Sequence, residues 1–162
     1  MDNENALSDR SLTFWSWLFP LTYLLHIAEE LWGGEGYSAY LKRLRGVELL
    51  QTEFLVGQAI GMALIITGIL LARRFNFPRQ LLVILGTVVF INGLSHLSTS
   101  LLHREYGPGL ITGVLIWIPF GIVTLIRFKR SISSFRYWLY VATGVAINVV
   151  IAILTLGGGR AS

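Results

Sequence analysis

The chain has 162 residues, 54% of them hydrophobic and 14% charged, with a net charge of +4 and no cysteine. Soluble domains usually carry about 25% charged residues, so the deficit marks a membrane protein before any segment is read. The missing cysteines exclude disulfide frameworks and thiolate metal sites. The basic residues sit in short clusters between apolar runs, as topology determinants do, and form no stripe or module that would bind nucleic acid. Nothing marks a boundary, so residues 1–162 read as a single transmembrane domain.

The start, MDNENALSDR, is acidic and polar, and no small-x-small cleavage pattern follows the first apolar run. A cleaved signal peptide is therefore not expected. The first span is predicted at Leu12–Trp32. It is apolar through Leu25 and then reads HIAEE, with Trp15, Trp17 and Trp32 marking interfaces. Gly33 and Gly34 break the helix. Over Gly33–Glu53, Tyr37, Tyr40, Leu41 and Leu44 recur at helical spacing opposite Lys42, Arg43 and Arg45. That pattern suits a short helix lying in the interface plane, and it suits a plain extramembrane loop equally well.

Four further runs, Phe54–Ala72, Gln80–Leu102, Gly109–Ile126 and Tyr137–Leu156, contain no aspartate, glutamate, lysine or arginine. Each is long enough to cross about 30 Å of hydrocarbon at about 1.5 Å per residue. The expected fold is all-α, an integral membrane bundle of about five transmembrane helices. The connections alternate sides, collecting Arg10, Arg73, Arg74, Arg79, Arg127, Lys129, Arg130 and Arg136 on one and Lys42, Arg43, Arg45, Arg104 and Arg160 on the other. The excess on the first side favours an N-in, C-out orientation. Gly57 and Gly61 form a GxxxG with Gly68 on the same face, read as close helix packing.

The informative residues are those a membrane should not contain. His26, Glu29 and Glu30 lie at i, i+3 and i+4, so both carboxylates fall within about 60° of the histidine's direction. Placing each near hydrocarbon costs roughly 2.5–3.5 kcal/mol, which points to a cavity, partner or ligand. On the third span Asn92, His96, Thr99, Ser100 and His103 share a face. His26 and His96 each lie about 21–24 Å from the same entry side. The antiparallel second span brings Gln58 and Glu53 towards that level. Tyr106-Gly107-Pro108-Gly109 reads as a tight turn near the mouth of this cluster.

HIAEE, NGLSH and YGPG, in this order along a short multi-helix membrane chain, resemble the HXXEE domain family of small, mostly bacterial membrane proteins. The resemblance covers the first span to the fourth. It implies that His26, Glu29, Glu30, Asn92 and His96 belong together, with Tyr106, Pro108 and Gly109 as signature positions, in a bacterial cytoplasmic membrane. It implies no settled function.

The preferred reading of the cluster is a metal site. Imidazole and carboxylate ligands suit Zn²⁺ and, in second place, non-haem iron or manganese. By similarity to the inverzincin HxxEH helix, His26, Glu30 and His96 would ligate and Glu29 would be the catalytic base. Glu29 would then act on bound water in a membrane hydrolase with a lipid or other hydrophobic substrate. Asn92, Gln58, Glu53, His103 and Tyr106 complete the pocket candidates. Three alternatives stay open. One is metal-free acid–base isomerisation or cyclisation of an isoprenoid-like substrate by a protonated glutamate. Another is proton or ion transport, for which a homo-oligomer could supply the pathway. The last is an interhelical hydrogen-bond knot that serves packing.

Overall fold

The structure, a computed structural model, describes residues 2–158 and 160–161, with side chains from 10 to 155. In chain order the elements are α1 (Asp2–Trp32), α2 (Tyr37–Arg45), β1 (Val47–Glu48) and α3 (Gln51–Arg74). They continue with α4 (Pro78–His103), α5 (Leu110–Lys129), α6 (Ser134–Gly158) and β2 (Arg160–Ala161). The chain is all-α apart from the two-residue antiparallel pairing of β1 with β2. The side chain of Arg160, counted above among the topology charges, lies outside the described residues.

Helices α3 to α6 are long and apolar enough to cross a membrane. Helix α1 packs against α3, α4 and α5 and has the length, 31 residues, but its composition is less apolar because polar residues occupy both its ends. The segment after it resolves as a helix. Gly36 and Gly46 bracket α2, and Gly46 ends it in a left-handed conformation at φ 65°. Tyr40 and Leu41 are buried while Lys42, Arg43 and Arg45 stay exposed.

Helix α4 is the hub, packed against α1, α3, α5 and α6. The apolar core gathers Phe19 of α1, Leu82, Val83, Leu85 and Val89 of α4, Trp117 and Phe128 of α5 and Tyr137 of α6. Most of it lies in the half of the bundle nearer the α3–α4 turn. His26 and His96 each lie seven residues beyond a member of that core, about 10 Å further along their helices. Packing and polar chemistry thus occupy different levels.

Lipid supplies no hydrophobic drive between helices, so close backbone approach does that work. A Cβ on Gly121 would come within 2.7 Å of Phe90 Cβ and 2.8 Å of Gly86 O, and one on Gly144 would lie 2.6 Å from Thr87 Cβ. The GxxxG of α3 serves close packing at one of its two glycines. A Cβ on Gly57 would meet nothing within 4 Å, Gly61 leaves room for the Tyr23 hydroxyl, and Gly68 makes ordinary contact with Leu81. The close seams run from α4 to α5 and α6, where glycine meets glycine or threonine without a GxxxG spacing.

Gly121→Val is expected to lower stability by about 1–3 kcal/mol through forced separation of α4 and α5. Gly57→Ala should leave stability within about 0.5 kcal/mol or raise it. Thermal unfolding in detergent checks both, and equal losses would contradict the packing described.

Candidate metal centre

The site begins where α5 begins. A helix start presents unsatisfied N–H groups and a partial positive charge, and Glu29 of α1 reaches across to it. Its Oε1 accepts from Tyr106 Oη at 2.8 Å and from the Ile111 amide at 2.8 Å. Its Oε2 accepts from the Thr112 amide at 2.6 Å and from Thr112 Oγ1 at 2.5 Å. A carboxylate offers about four lone-pair sites, and all are used. The general-base role expected of Glu29 does not fit this geometry, because no oxygen remains to take a proton from water. Its carboxylate is an anchor.

That anchor sets the next group. The Thr112 hydroxyl has one proton and gives it to Glu29, so towards His26 Nδ1, 2.7 Å away, its oxygen accepts. Nδ1 therefore carries the imidazole proton, and the lone pair lies on Nε2. This Nε2 is buried without a hydrogen-bond partner among the described residues. Trp117 stacks on the ring, with centroids 3.6 Å apart and planes 27° from parallel. A π-helical turn at Gly113–Trp117, where Ile118 N–H bonds back to Gly113 O, delivers that indole.

His96 on α4 meets His26 edge to face, with ring centroids 4.9 Å apart. The Pro108 carbonyl lies beside its ring. His96 Nε2 and His26 Nε2 lie 3.5 Å and 3.7 Å from one atom, Glu30 Oε1. The other oxygen of Glu30 accepts from Gln58 Nε2 at 2.9 Å, and Gln58 Oε1 accepts from the Tyr23 hydroxyl. The ligand atoms of His26, Glu30 and His96 all lie within 4.8 Å of one another. A tetrahedral zinc site with bonds of about 2.0–2.1 Å needs ligand atoms roughly 3.4 Å apart. The fit is close.

The YGPG turn does more than reverse the chain. Gly109 has φ 89°, and a Cβ there would lie 2.6 Å from His96 Cε1 and 2.9 Å from His26 Cε1. Glycine is required twice over, by conformation and by space.

Residues 17–124 match the family described as "Protein of unknown function with HXXEE motif" and make up two thirds of the chain. The chain belongs to the HXXEE family. No curated protein and no solved structure matches it. The HXXEE histidine and second glutamate supply two members of the triad, and the first glutamate holds α5 in register with them.

Not every expected pocket residue joins this HXXEE centre. Glu53 is exposed and caps α3 through the Leu50 amide at 3.0 Å. His103 is exposed at the end of α4 and makes no contact with the triad. Both sit a turn or more beyond the level of His26, so the shared face does not bring them in. Asn92 lines a neighbouring cavity together with His96. Thr112, Trp117 and Tyr23 were not singled out in the sequence. Thr112 had a signal, since it follows the turn at a helix start where a carboxylate finds donors.

Burial and then the Glu29 carboxylate push the Tyr106 phenol up to about 12, so it stays a neutral donor at physiological pH. Glu29→Gln would oppose an amide NH₂ to two of the four donors. It is expected to cost about 1.5–3 kcal/mol. Tyr106→Phe removes one bond and should cost about 1 kcal/mol. Thermal unfolding of the two variants checks this ranking, and a neutral Glu29→Gln would refute the anchor.

Proposed function

We propose that this chain is a membrane-embedded, metal-dependent enzyme of hydrolase type, acting on a lipid or other hydrophobic small molecule. One observation carries the reading: three lone pairs converge. A carbonyl can only accept, so the Pro108 carbonyl beside the His96 ring supports a proton on the nitrogen that faces it, with Nε2, 3.5 Å from Glu30 Oε1, as the acceptor. His26 Nε2 is an acceptor through Thr112, and Glu30 Oε1 is one by nature. Such a set asks for a cation between its members.

His26, Glu30 and His96 would hold a divalent ion, Zn²⁺ first and iron or manganese after it. A His₂Glu set with an open fourth position is a known catalytic combination, and the ion supplies an acidified water at neutral pH. The chain's own residues orient this set. Thr112 and Pro108 fix the two imidazole tautomers, Gln58 fixes the carboxylate, and Trp117 holds the His26 ring against rotation. Glu29 acts as a positioning residue through Thr112. We place the N-terminus on the cytoplasmic side of a bacterial cytoplasmic membrane, on the strength of the basic residues at the α3–α4 and α5–α6 turns.

Protein purified without chelators is expected to hold about one divalent ion per chain by elemental analysis. His96→Ala and His26→Ala should reduce this below about 0.2, and Gln58→Ala should weaken metal affinity about 10–100-fold. Wild-type protein below about 0.2 ion per chain would remove the reading. The competing metal-free acid–base reading draws on the burial of Glu30; it requires turnover that survives full removal of metal by chelator.

A further inference from the structure

A cavity of about 380 Å³ lies between α2, α4 and α6, and His96 forms part of its wall. Pockets of about 300–1,000 Å³ take small-molecule ligands, and an apolar cavity of about 150 Å³ already holds a benzene ring. The lining along α4 runs from Ile91 to Ser100, about 13 Å of helix.

Its chemistry changes along that length. Towards the bundle centre the walls are Ile91, Val145 and Val149, with Asn92 and Asn148 between them, the Asn148 amide turned to the Val88 and Gly144 carbonyls. At the α2 end they are Tyr40, Arg45 and Ser100. Two lining atoms, the Tyr40 hydroxyl and Asn92 Oδ1, are buried without a hydrogen-bond partner among the described residues. Tyr40 is only 5% exposed, and leaving such a group unpaired costs about 1–3 kcal/mol. The other cations of α2 are matched, Lys42 with Glu48 and Arg43 with Glu35 and Glu105. Arg45 makes no ion pair among the described residues and stands at the rim.

We propose that this cavity binds a single-chain amphiphile with an anionic headgroup, drawn from the leaflet on which α2 lies. The headgroup meets Arg45 and the Tyr40 hydroxyl, and the chain lies between α4 and α6. His96 is four residues below Ser100, about 6 Å. The centre therefore faces the first few carbons of the chain or its linkage to the headgroup. This names the substrate class of the metal centre and rests on that reading only in calling the ligand a substrate.

The test uses the full chain in nanodiscs of zwitterionic lipid, with a photoreactive palmitic acid bearing a mid-chain diazirine. Label should fall on the α4 and α6 peptides around Ile91, Val145 and Val149, and unlabelled palmitate should displace it. Ala152→Trp, on the same wall, should cut labelling roughly tenfold, and Val149→Phe covers failure of that variant to fold. Arg45→Gln should raise the half-labelling concentration roughly tenfold, the size of one lost charged contact. The matching fatty-alcohol probe should label more weakly and ignore that change. Label spread over the lipid-exposed face of α3, or indifferent to both wall variants, overturns the proposal; so does a fatty alcohol that labels as well as the acid. Metal content is measured on the same samples. Label in the cavity without metal supports this site and overturns the metal centre. Metal without label overturns this site and leaves the centre standing.

Discussion

Glu29 sits where two demands of the lipid environment meet. A carboxylate near hydrocarbon needs compensation, and so do the free amides at the start of a helix apolar enough to span a membrane. Here each is the other's remedy, since the Glu29 oxygens take the Ile111 and Thr112 amides together with two hydroxyls. The consequences run inward. Fixing α5 against α1 fixes Thr112, Thr112 sets the His26 tautomer, and the tautomer aims a lone pair at Glu30. Without that cap the histidine could turn, and the triad would lose its focus.

The rest of the bundle keeps that junction still. Close glycine seams pin α5 and α6 to α4, so the helix bearing His96 cannot slide relative to the helix bearing Thr112 and Trp117. Aromatic and aliphatic side chains fill the level below, and the hydroxyls buried there, Ser16, Thr87 and Thr124, are bonded to carbonyls of their own helices. Helix α3 is held more loosely and contributes Gln58, whose long side chain tolerates a looser fit. Rigid elements carry the ligands, and a more adaptable one carries the carboxylate's support.

Much of this was legible from residue order. Hydrophobic runs located α3 to α6 to within a few residues, because a spanning segment has no other way to satisfy its backbone. Helix α1, by contrast, starts ten residues before the expected first span, through a polar stretch. The common depth of His26 and His96 followed from counting along two parallel spans. What counting could not supply was rotation about each helix axis. Face-sharing placed His103 and Glu53 with the cluster, yet both project beyond it. It also gave Glu29 and Glu30 the same standing, although Glu30 turns to the histidines and Glu29 to a helix start. The GxxxG of α3 was only half informative for a related reason, since Gly61 admits Tyr23 of α1 while Gly57 meets nothing. Small residues permit close approach but do not say which neighbour arrives, and the true seams use glycines spaced by no motif.

The contest between a metal, a shared proton and a packing knot turns on distance. A knot pairs donors with acceptors, as Glu29, Gln58 and Tyr23 do around this cluster. But neither the nearby Trp117 Nε1 nor His26 Nε2 at its centre has a hydrogen-bond partner among the described residues. There the three inward atoms are all acceptors, held apart at 3.5 Å and 3.7 Å from the shared carboxylate oxygen. A proton could bridge a carboxylate and an imidazole, but it would draw them to about 2.7–2.9 Å. These separations are longer than that bond, and two of the three edges come near those of a site with ligands about 2 Å from its centre. Nor is the geometry a by-product of poor packing, because each ligand is held from behind by its own partner. Pro108, Thr112 and Gln58 stand behind the three residues and keep their inward atoms close enough together to be able to hold a metal ion.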